Sequence, residues 1–166
     1  TSSPDPTVQR FAPKLIASLD RAIAFCNDTL RFGRAEERPP RREPIRLRHL
    51  VEEVGDGLDL PREGLIDWQI DIPPALEVDA DEDHLFRVLN NLVRNAVQAL
   101  ESHTTTGTRL VRVAALRKGA SVVMTVSDNG PGVPPRARER LFQAFQGSAR
   151  KGGTGLGLAI AHELIA

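Results

Sequence analysis

The chain lacks tyrosine altogether and carries one tryptophan, one cysteine and one methionine; aromatic residues make up 4% of its 166 positions. So few rings argue against the stacking platforms that hold single-stranded nucleic acids. One cysteine excludes an internal disulfide framework and any zinc site built from several thiolates. Net charge is missing too: 22 Lys and Arg balance 22 Asp and Glu. That argues against a generally basic, nucleic-acid-binding chain. No run approaches the roughly 18 apolar residues of a membrane span, and no signal peptide opens the sequence. The expectation is a soluble, cytoplasmic piece that makes no membrane contact of its own.

What is present suffices for a packed core. Hydrophobic residues make up 40% and charged residues 27%, in a length that suits one domain, or one domain and an appendage. Charge is spread unevenly. Seven Arg and three Glu fall between Arg31 and Arg48, whereas twelve acidic residues and only Arg62 fall between Glu52 and Asp83. Such blocks form either solvated faces or docking surfaces of opposite sign. Arg38-Pro39-Pro40-Arg41-Arg42-Glu43-Pro44 holds three prolines in seven residues. No helix crosses it, so residues 38–43 are predicted to be a linker.

Two architectural pieces flank that linker. Over residues 7–35, Phe11, Leu15, Leu19, Ala22, Ile23, Cys26 and Leu30 recur at spacings of three and four. This predicts one long amphipathic helix, which needs a second helix or a second copy of the chain to bury its stripe. Cys26 lies in the stripe and reads as a buried apolar side chain. After the linker, Pro44–Leu47 suggests a short strand and His49–Leu58 a helix. Ile66, Trp68, Ile70 and Ile72 alternate with polar residues, as in a half-buried strand, and Leu76–Val78 reads as a segment that pairs with some neighbour. Asp81–Leu100 predicts a strong helix with an acidic first turn and a core face of Leu85, Val88, Leu89, Leu92, Ala96 and Leu100. Thr108–Leu116 and Ser121–Ser127 read as adjacent strands, with Val122, Met124 and Val126 sharing a face. A short helix around Arg136–Leu141 and a last helix from about Gly155 complete the series. Separate helices and antiparallel hairpins predict an α+β, two-layer sandwich rather than a parallel βαβ fold.

Three segments carry chemistry. The first is Asn90-Asn91-Leu92-Val93-Arg94-Asn95-Ala96. Asn91, Asn95 and Gln98 share one helical stripe, facing away from the Leu/Val stripe. Amide oxygens on a rigid helix can ligate a hard cation such as Mg²⁺; the same stripe also reads as a plain polar face. The second is Asp128-Asn129-Gly130-Pro131-Gly132-Val133, directly after a strand. It reads as an ordinary turn, or as a carboxylate at a strand end that accepts from an exocyclic amine while glycines admit a flat ring. Such a site rejects guanine, whose carbonyl would face the carboxylate. The third is Gly152-Gly153-Thr154-Gly155-Leu156-Gly157-Leu158-Ala159-Ile160, a glycine-rich loop that feeds a helix and suits phosphate. No Gly-Lys-[Ser/Thr] follows, and no strand precedes it, so neither the Walker nor the dinucleotide pattern fits.

In this order, the three segments resemble the catalytic, ATP-binding domain of two-component sensor histidine kinases, within the superfamily that includes gyrase, heat-shock and mismatch-repair ATPases. Asn91–Ala96 resembles the N box, Asp128–Gly132 the G1 box, Leu141-Phe142-Gln143-Ala144-Phe145 the F box and Gly153–Leu158 the G2 box. The match spans about residues 44–166. The Asn95-Ala96-Val97-Gln98-Ala99 run is similar to the nitrogen-regulation type, and residues 1–37 are similar to the second helix of a dimerisation and phosphotransfer bundle. The family fold is a two-layer α/β sandwich of Bergerat type, with ATP held beneath a mobile lid.

The resemblance implies ATP and Mg²⁺ as cofactors. By position, Asn95 would ligate Mg²⁺ with Asn91 in support. Asp128 would read adenine in a pocket shaped by Gly130, Gly132 and Val133. Gly153, Thr154, Gly155, Leu156 and Gly157 would hold the phosphates and hinge the lid, where Ser148, Arg150 and Lys151 bring hydroxyl and charge. Gln98 adjoins the same site, where many sensor kinases have a basic residue, and Ala144 stands where the F box often has proline. Family members continue past the position of Ala166 with a further strand pair. Their phosphoacceptor is a His followed by Asp or Glu, on the helix before the one read at 7–35. None of His49, His84, His103 and His162 occupies such a place. Implied partners are a second copy of the chain, through the N-terminal helix, and a response-regulator receiver domain.

Two other functions compete with a histidine kinase. A superfamily ATPase of the clamp or chaperone type uses a Glu four residues before the Mg²⁺-binding Asn; here that position is Asn91, which accepts no proton. A non-catalytic scaffold that binds nucleotide and dimerises is the other. Anti-sigma-factor kinases share the boxes, but the appended long helix fits a sensor kinase better.

Overall fold

The structure, a computed structural model, describes residues 39–61, 65–102, 107–138 and 157–165. The helix expected over 7–35, Cys26, His103 and the F box lie outside them. Pro39–Arg42 form an exposed coil that leads into β1 (Glu43–Arg46) and α1 (Leu47–Gly57). Then come β2 (Ile66–Asp71), β3 (Glu77–Ala80), α2 (Glu82–Glu101), β4 (Arg109–Lys118), β5 (Ser121–Asp128), α3 (Pro135–Arg138) and α4 (Gly157–Ile165).

Two small sheets result. β1 and β3 pair antiparallel, with Ile45 opposite Val78. The larger sheet has the order β2-β4-β5. β4 and β5 form a hairpin whose last pair is Lys118 with Ser121, so the turn is Gly119-Ala120 alone, with Gly119 at φ 60°. At the hairpin β4 therefore runs two residues further than its apolar alternation marks, because Arg117 and Lys118 are exposed at the tip, while β5 begins at Ser121 as expected.

One pairing departs from the expected hairpins: β2 lies parallel to β4, Ile66 opposite Arg109 and Ile70 opposite Val113. The connection between them contains α2, so a βαβ crossover sits inside the two-layer sandwich. Parallel partners need such a long connection, and it also lets one helix cover the sheet.

The core lies between the helices and one face of the sheet. Val111, Val113 and Ala115 of β4 alternate inward and share one buried cluster with Leu47, Leu50, Val51 and Val54 of α1. α1 approaches so closely that a Cβ on Gly55 would stand 2.7 Å from Trp68 Nε1. Burial of these aliphatic side chains is the main stabilising term, about 1.5–3 kcal/mol for each fully buried one.

α2 is the longest element among the described residues, and its sequence explains both ends. Asp81 caps it, accepting from His84 N at 3.0 Å, and Glu82 and Asp83 complement the positive end of the helix dipole. At the other end the Ser102 hydroxyl donates to the Ala99 carbonyl at 3.0 Å. The core face differs from the expected one: Val93 and Val97 are fully inside, whereas Leu92 is only half-buried. α2 is covered on two sides. Leu89, Val93, Ala96, Val97 and Leu100 join the main core, while Val88 and Ala99 are buried without belonging to it. Ala161 of α4, which packs on α2, is likewise buried outside that core. Two covered sides merge two stripes in the sequence, and Leu92 falls on the second.

Candidate functional site

The second side of α2 is where the chemistry-bearing segments meet. At its C-terminal half stands the end of β5. Asp128 pairs with Val111 and follows Val122, Met124 and Val126 at every second position, so it belongs to the helix-facing side of the sheet. Being last, it is exposed rather than buried. The Gly130 N–H donates to Asp128 Oδ1 at 2.9 Å, which fixes the carboxylate over the turn. A Cβ on Gly130 would come within 2.7 Å of that oxygen and 3.5 Å of both Ala99 Cβ and Leu100 Cδ2. The Asp128 carboxylate, folded back over the turn, is thus the tight contact that favours glycine here, while α2 lies at ordinary packing distance. Gly132 follows with φ 71°, and the Val133 carbonyl accepts from Arg138 Nε at 3.1 Å.

Asn129 is a residue that the motif reading passed over. Its Oδ1 accepts from Leu110 N at 2.8 Å, its Nδ2 donates to the Thr108 carbonyl at 2.8 Å, and its own N–H donates to the Leu110 carbonyl at 3.3 Å. The side chain imitates one more residue of ladder and holds the turn to the start of β4. Asn in a turn is so common that the sequence gives this no separate signal.

One turn of helix after another leads from Asp128 towards α4. Asn95 and Asn91 lie four and eight residues before Ala99, on adjoining turns. Both are half-buried on the side away from the main core, where α4 packs on α2. Gly157, the first residue of α4, presents its backbone to Asn91: a Cβ there would lie 3.5 Å from Asn91 Oδ1. Among the described residues neither asparagine amide has a hydrogen-bond partner on another side chain. Gln98 is exposed. From Asn91 to Ala99 the site extends about 12 Å along α2.

The pieces brought together are therefore Asp128 and Gly130 at one end of the stripe, Asn95 in its middle, and Asn91 with Gly157 at the other. Ser148, Arg150, Lys151, Gly153, Thr154, Gly155 and Leu156 lie outside the described residues. Chemically, the Asp128 end offers a fixed carboxylate beside a glycine floor. The other end offers hard amide oxygens and the free N–H groups of a helix start. No cluster of three His, Cys, Asp or Glu occurs among the described residues. A cation at this end would thus take amide oxygen from the protein and its remaining ligands from phosphate and water, as Mg²⁺ does. No helix among the described residues is long and apolar enough to cross a membrane. His49 and His162 are exposed and His84 is half-buried.

In sequence and in fold the chain resembles known proteins. The family of histidine kinase-, DNA gyrase B- and HSP90-like ATPases matches residues 80–166. The sensory histidine kinase/phosphatase NtrB of Vibrio alginolyticus is 30% identical over 98% of this chain and 47% of its own length. The sensor histidine kinase AruS of Pseudomonas aeruginosa is 36% identical over 86% of this chain and 15% of its own. The chain thus spans less than half the length of either. Among solved structures, the nucleotide-free catalytic domain of histidine kinase ThkA superposes with a TM-score of 0.64 at 28% identity, covering 75% of this chain and 80% of that one. Full-length ShkA in complex with AMPPNP superposes with a TM-score of 0.68 at 32% identity, covering 98% of this chain and 34% of that one. The chain belongs to the histidine kinase-, DNA gyrase B- and HSP90-like ATPase family, and its sandwich is that of the histidine kinase catalytic domain.

Proposed function

We propose that this chain is the phosphate-donating part of a sensor histidine kinase, binding Mg·ATP along the second side of α2. The observation that carries the reading is the alignment along that helix: a base-reading carboxylate, an amide pair and a helix start, in the order and over the length of a nucleoside triphosphate. Relatives named as sensor histidine kinases, and ShkA with its bound AMPPNP, support it.

Asp128 accepts from the adenine amino group, and Gly130 and Gly132 let the ring approach the backbone. The N–H groups at the start of α4 face the phosphates together with the glycine loop before them. Asn95, with Asn91 beside it, would hold Mg²⁺, which neutralises phosphate charge when bound. Phosphoryl transfer asks for such positioning and charge neutralisation rather than covalent help from the protein. The γ-phosphoryl leaves ADP for a histidine nitrogen carried upstream of residue 7, and passes from there to a response-regulator aspartate. Residues 7–35 dimerise the protein. Hydrolysis of the clamp ATPase kind is disfavoured because Asn91, in the place of a general base, takes no proton.

Titration calorimetry with and without Mg²⁺ tests the site. Asn95→Ala should abolish the Mg²⁺-dependent strengthening of ATP binding while the fold persists, since Asn95 is outside the main core. A variant that binds Mg·ATP like the parent overturns the assignment.

A further inference from the structure

The coil that leads into the domain is tied down at one described point. Arg41 belongs to no strand and its side chain is exposed. Its backbone N–H nevertheless donates to Asp81 Oδ2 at 2.7 Å, across 40 residues of sequence. The other oxygen of the same carboxylate, Oδ1, is the cap of α2, accepting from His84 N at 3.0 Å. The β1–β3 ladder sets up the meeting: Glu43 pairs with Ala80, so Arg41 lies two residues before the last pair and Asp81 one after it.

Asp81 is 5% exposed, the one buried polar or charged side chain among the described residues. A helix cap alone needs a single oxygen, which Ser, Thr or Asn supplies without burying a charge. The bond to the Arg41 N–H uses a second acceptor oxygen, which a serine, threonine or asparagine cap does not have.

We propose that Asp81 is a positioning residue: its carboxylate latches the entering chain at Arg41 to the first turn of the helix that carries Asn91 and Asn95. The direction from which upstream residues reach the domain is thereby fixed relative to the phosphate end of the site. The consequence for phosphotransfer rests on the function proposed above. An acceptor histidine carried upstream must meet the γ-phosphate in line, and misplacement by an ångström is costly in such a step.

Two variants separate latch from cap. Asp81→Asn keeps the capping oxygen but turns an NH₂ donor towards the Arg41 N–H. Asp81→Ser keeps a cap and ends too short to reach Arg41. On the 166-residue chain, both should speed amide exchange at Arg41 by about tenfold, the effect of one lost hydrogen bond to a charged group. Trypsin should cut after Arg41 and Arg42 sooner. Affinity for Mg·AMPPNP should stay within about twofold, because the nucleotide groups are untouched. In the full-length protein, acid-labile label from ATP should form about tenfold more slowly at saturating ATP, with KM unchanged. Unchanged Arg41 exchange in both variants overturns the latch. Loss of AMPPNP affinity in step with the rate, in both, reduces Asp81 to a structural cap and overturns its positioning role. If the unaltered full-length protein takes up no label while Arg41 exchange still rises in the variants, the kinase reading fails and the latch stands.

Discussion

The two ends of the site along α2 are built on opposite plans. At the C-terminal end the polar groups are held in place: Asp128 Oδ1 accepts from Gly130 N, and Asn129 is bonded twice to Leu110 of β4 and once to Thr108 just before it. Towards the middle, the amides of Asn91 and Asn95 are half-buried beside α4 with no side-chain partner among the described residues. Groups already bonded to the scaffold keep one geometry and discriminate by fit; groups held in reserve are free to take ligands that arrive with the nucleotide. A rigid end for the base and an open end for phosphate and cation follow from this division.

The difference breaks most sharply at Asp128. Asp128→Asn preserves shape but presents an amide of either polarity to the adenine amine. ATP binding should weaken by about 1–3 kcal/mol, as for a lost hydrogen bond to a charged group, and discrimination against GTP should shrink. Competition between the two nucleotides measures it; an unchanged preference sinks the base-reading role.

Next in size is Gly130→Ala. The added methyl would press on Asp128 Oδ1 at 2.7 Å. Overpacking costs roughly 1–3 kcal/mol, here towards the lower end because the carboxylate can turn aside. Turning aside removes it from the base, so ATP affinity should fall while the melting temperature moves little. A large drop in melting temperature with unchanged affinity would place the glycine's role in folding instead.

Asn129→Ala probes the scaffold without touching the ligand. Two exposed side-chain bonds are lost, each worth about 0.5–1.5 kcal/mol at most. The expected outcome is faster amide exchange at Leu110, freed from Asn129 Oδ1, with a several-fold weaker ATP affinity. Unchanged exchange at Leu110 would show that backbone pairing alone holds the turn.

Much of this architecture was legible in the residues, and the exceptions share a cause. β5 and α2 announce themselves by periods of two and 3.6, since each buries a regular set of side chains. The parallel partner of β2 was not legible: Ile66–Asp71 alternates in the same way whichever strand lies beside it and in whichever direction. Leu92 and Val93 were exchanged because α2 is covered on two sides and its stripes merge. Asp81 was readable as the start of a helix, yet its second oxygen meets Arg41 only through a ladder that no local pattern encodes. Of the site, Asn95, Asp128 and Gly157 were marked by segment order, whereas Asn129 hid inside a dipeptide that turns use everywhere.

The smallest expected effect sharpens the boundary of the open end. Gln98 shares the spacing of Asn91 and Asn95 and stands where many sensor kinases carry a basic residue. It is nonetheless exposed, and the turn beneath the base loop is occupied instead by Ala99, the neighbour of Gly130. Three residues along a helix swing a side chain by 300°, four by 400°, so Ala99 continues the line from Asn95 on one flank while Gln98 departs on the other. An exposed amide exchanges one hydrogen-bond partner for water at little net gain. Gln98→Ala should therefore change ATP affinity and stability by no more than about 0.5 kcal/mol, the ordinary range for surface substitutions. Calorimetry in Mg²⁺ checks it beside Asn95→Ala. A loss at Gln98 comparable to that at Asn95 would widen the phosphate end by a full helical flank and bring Gln98 among its ligands.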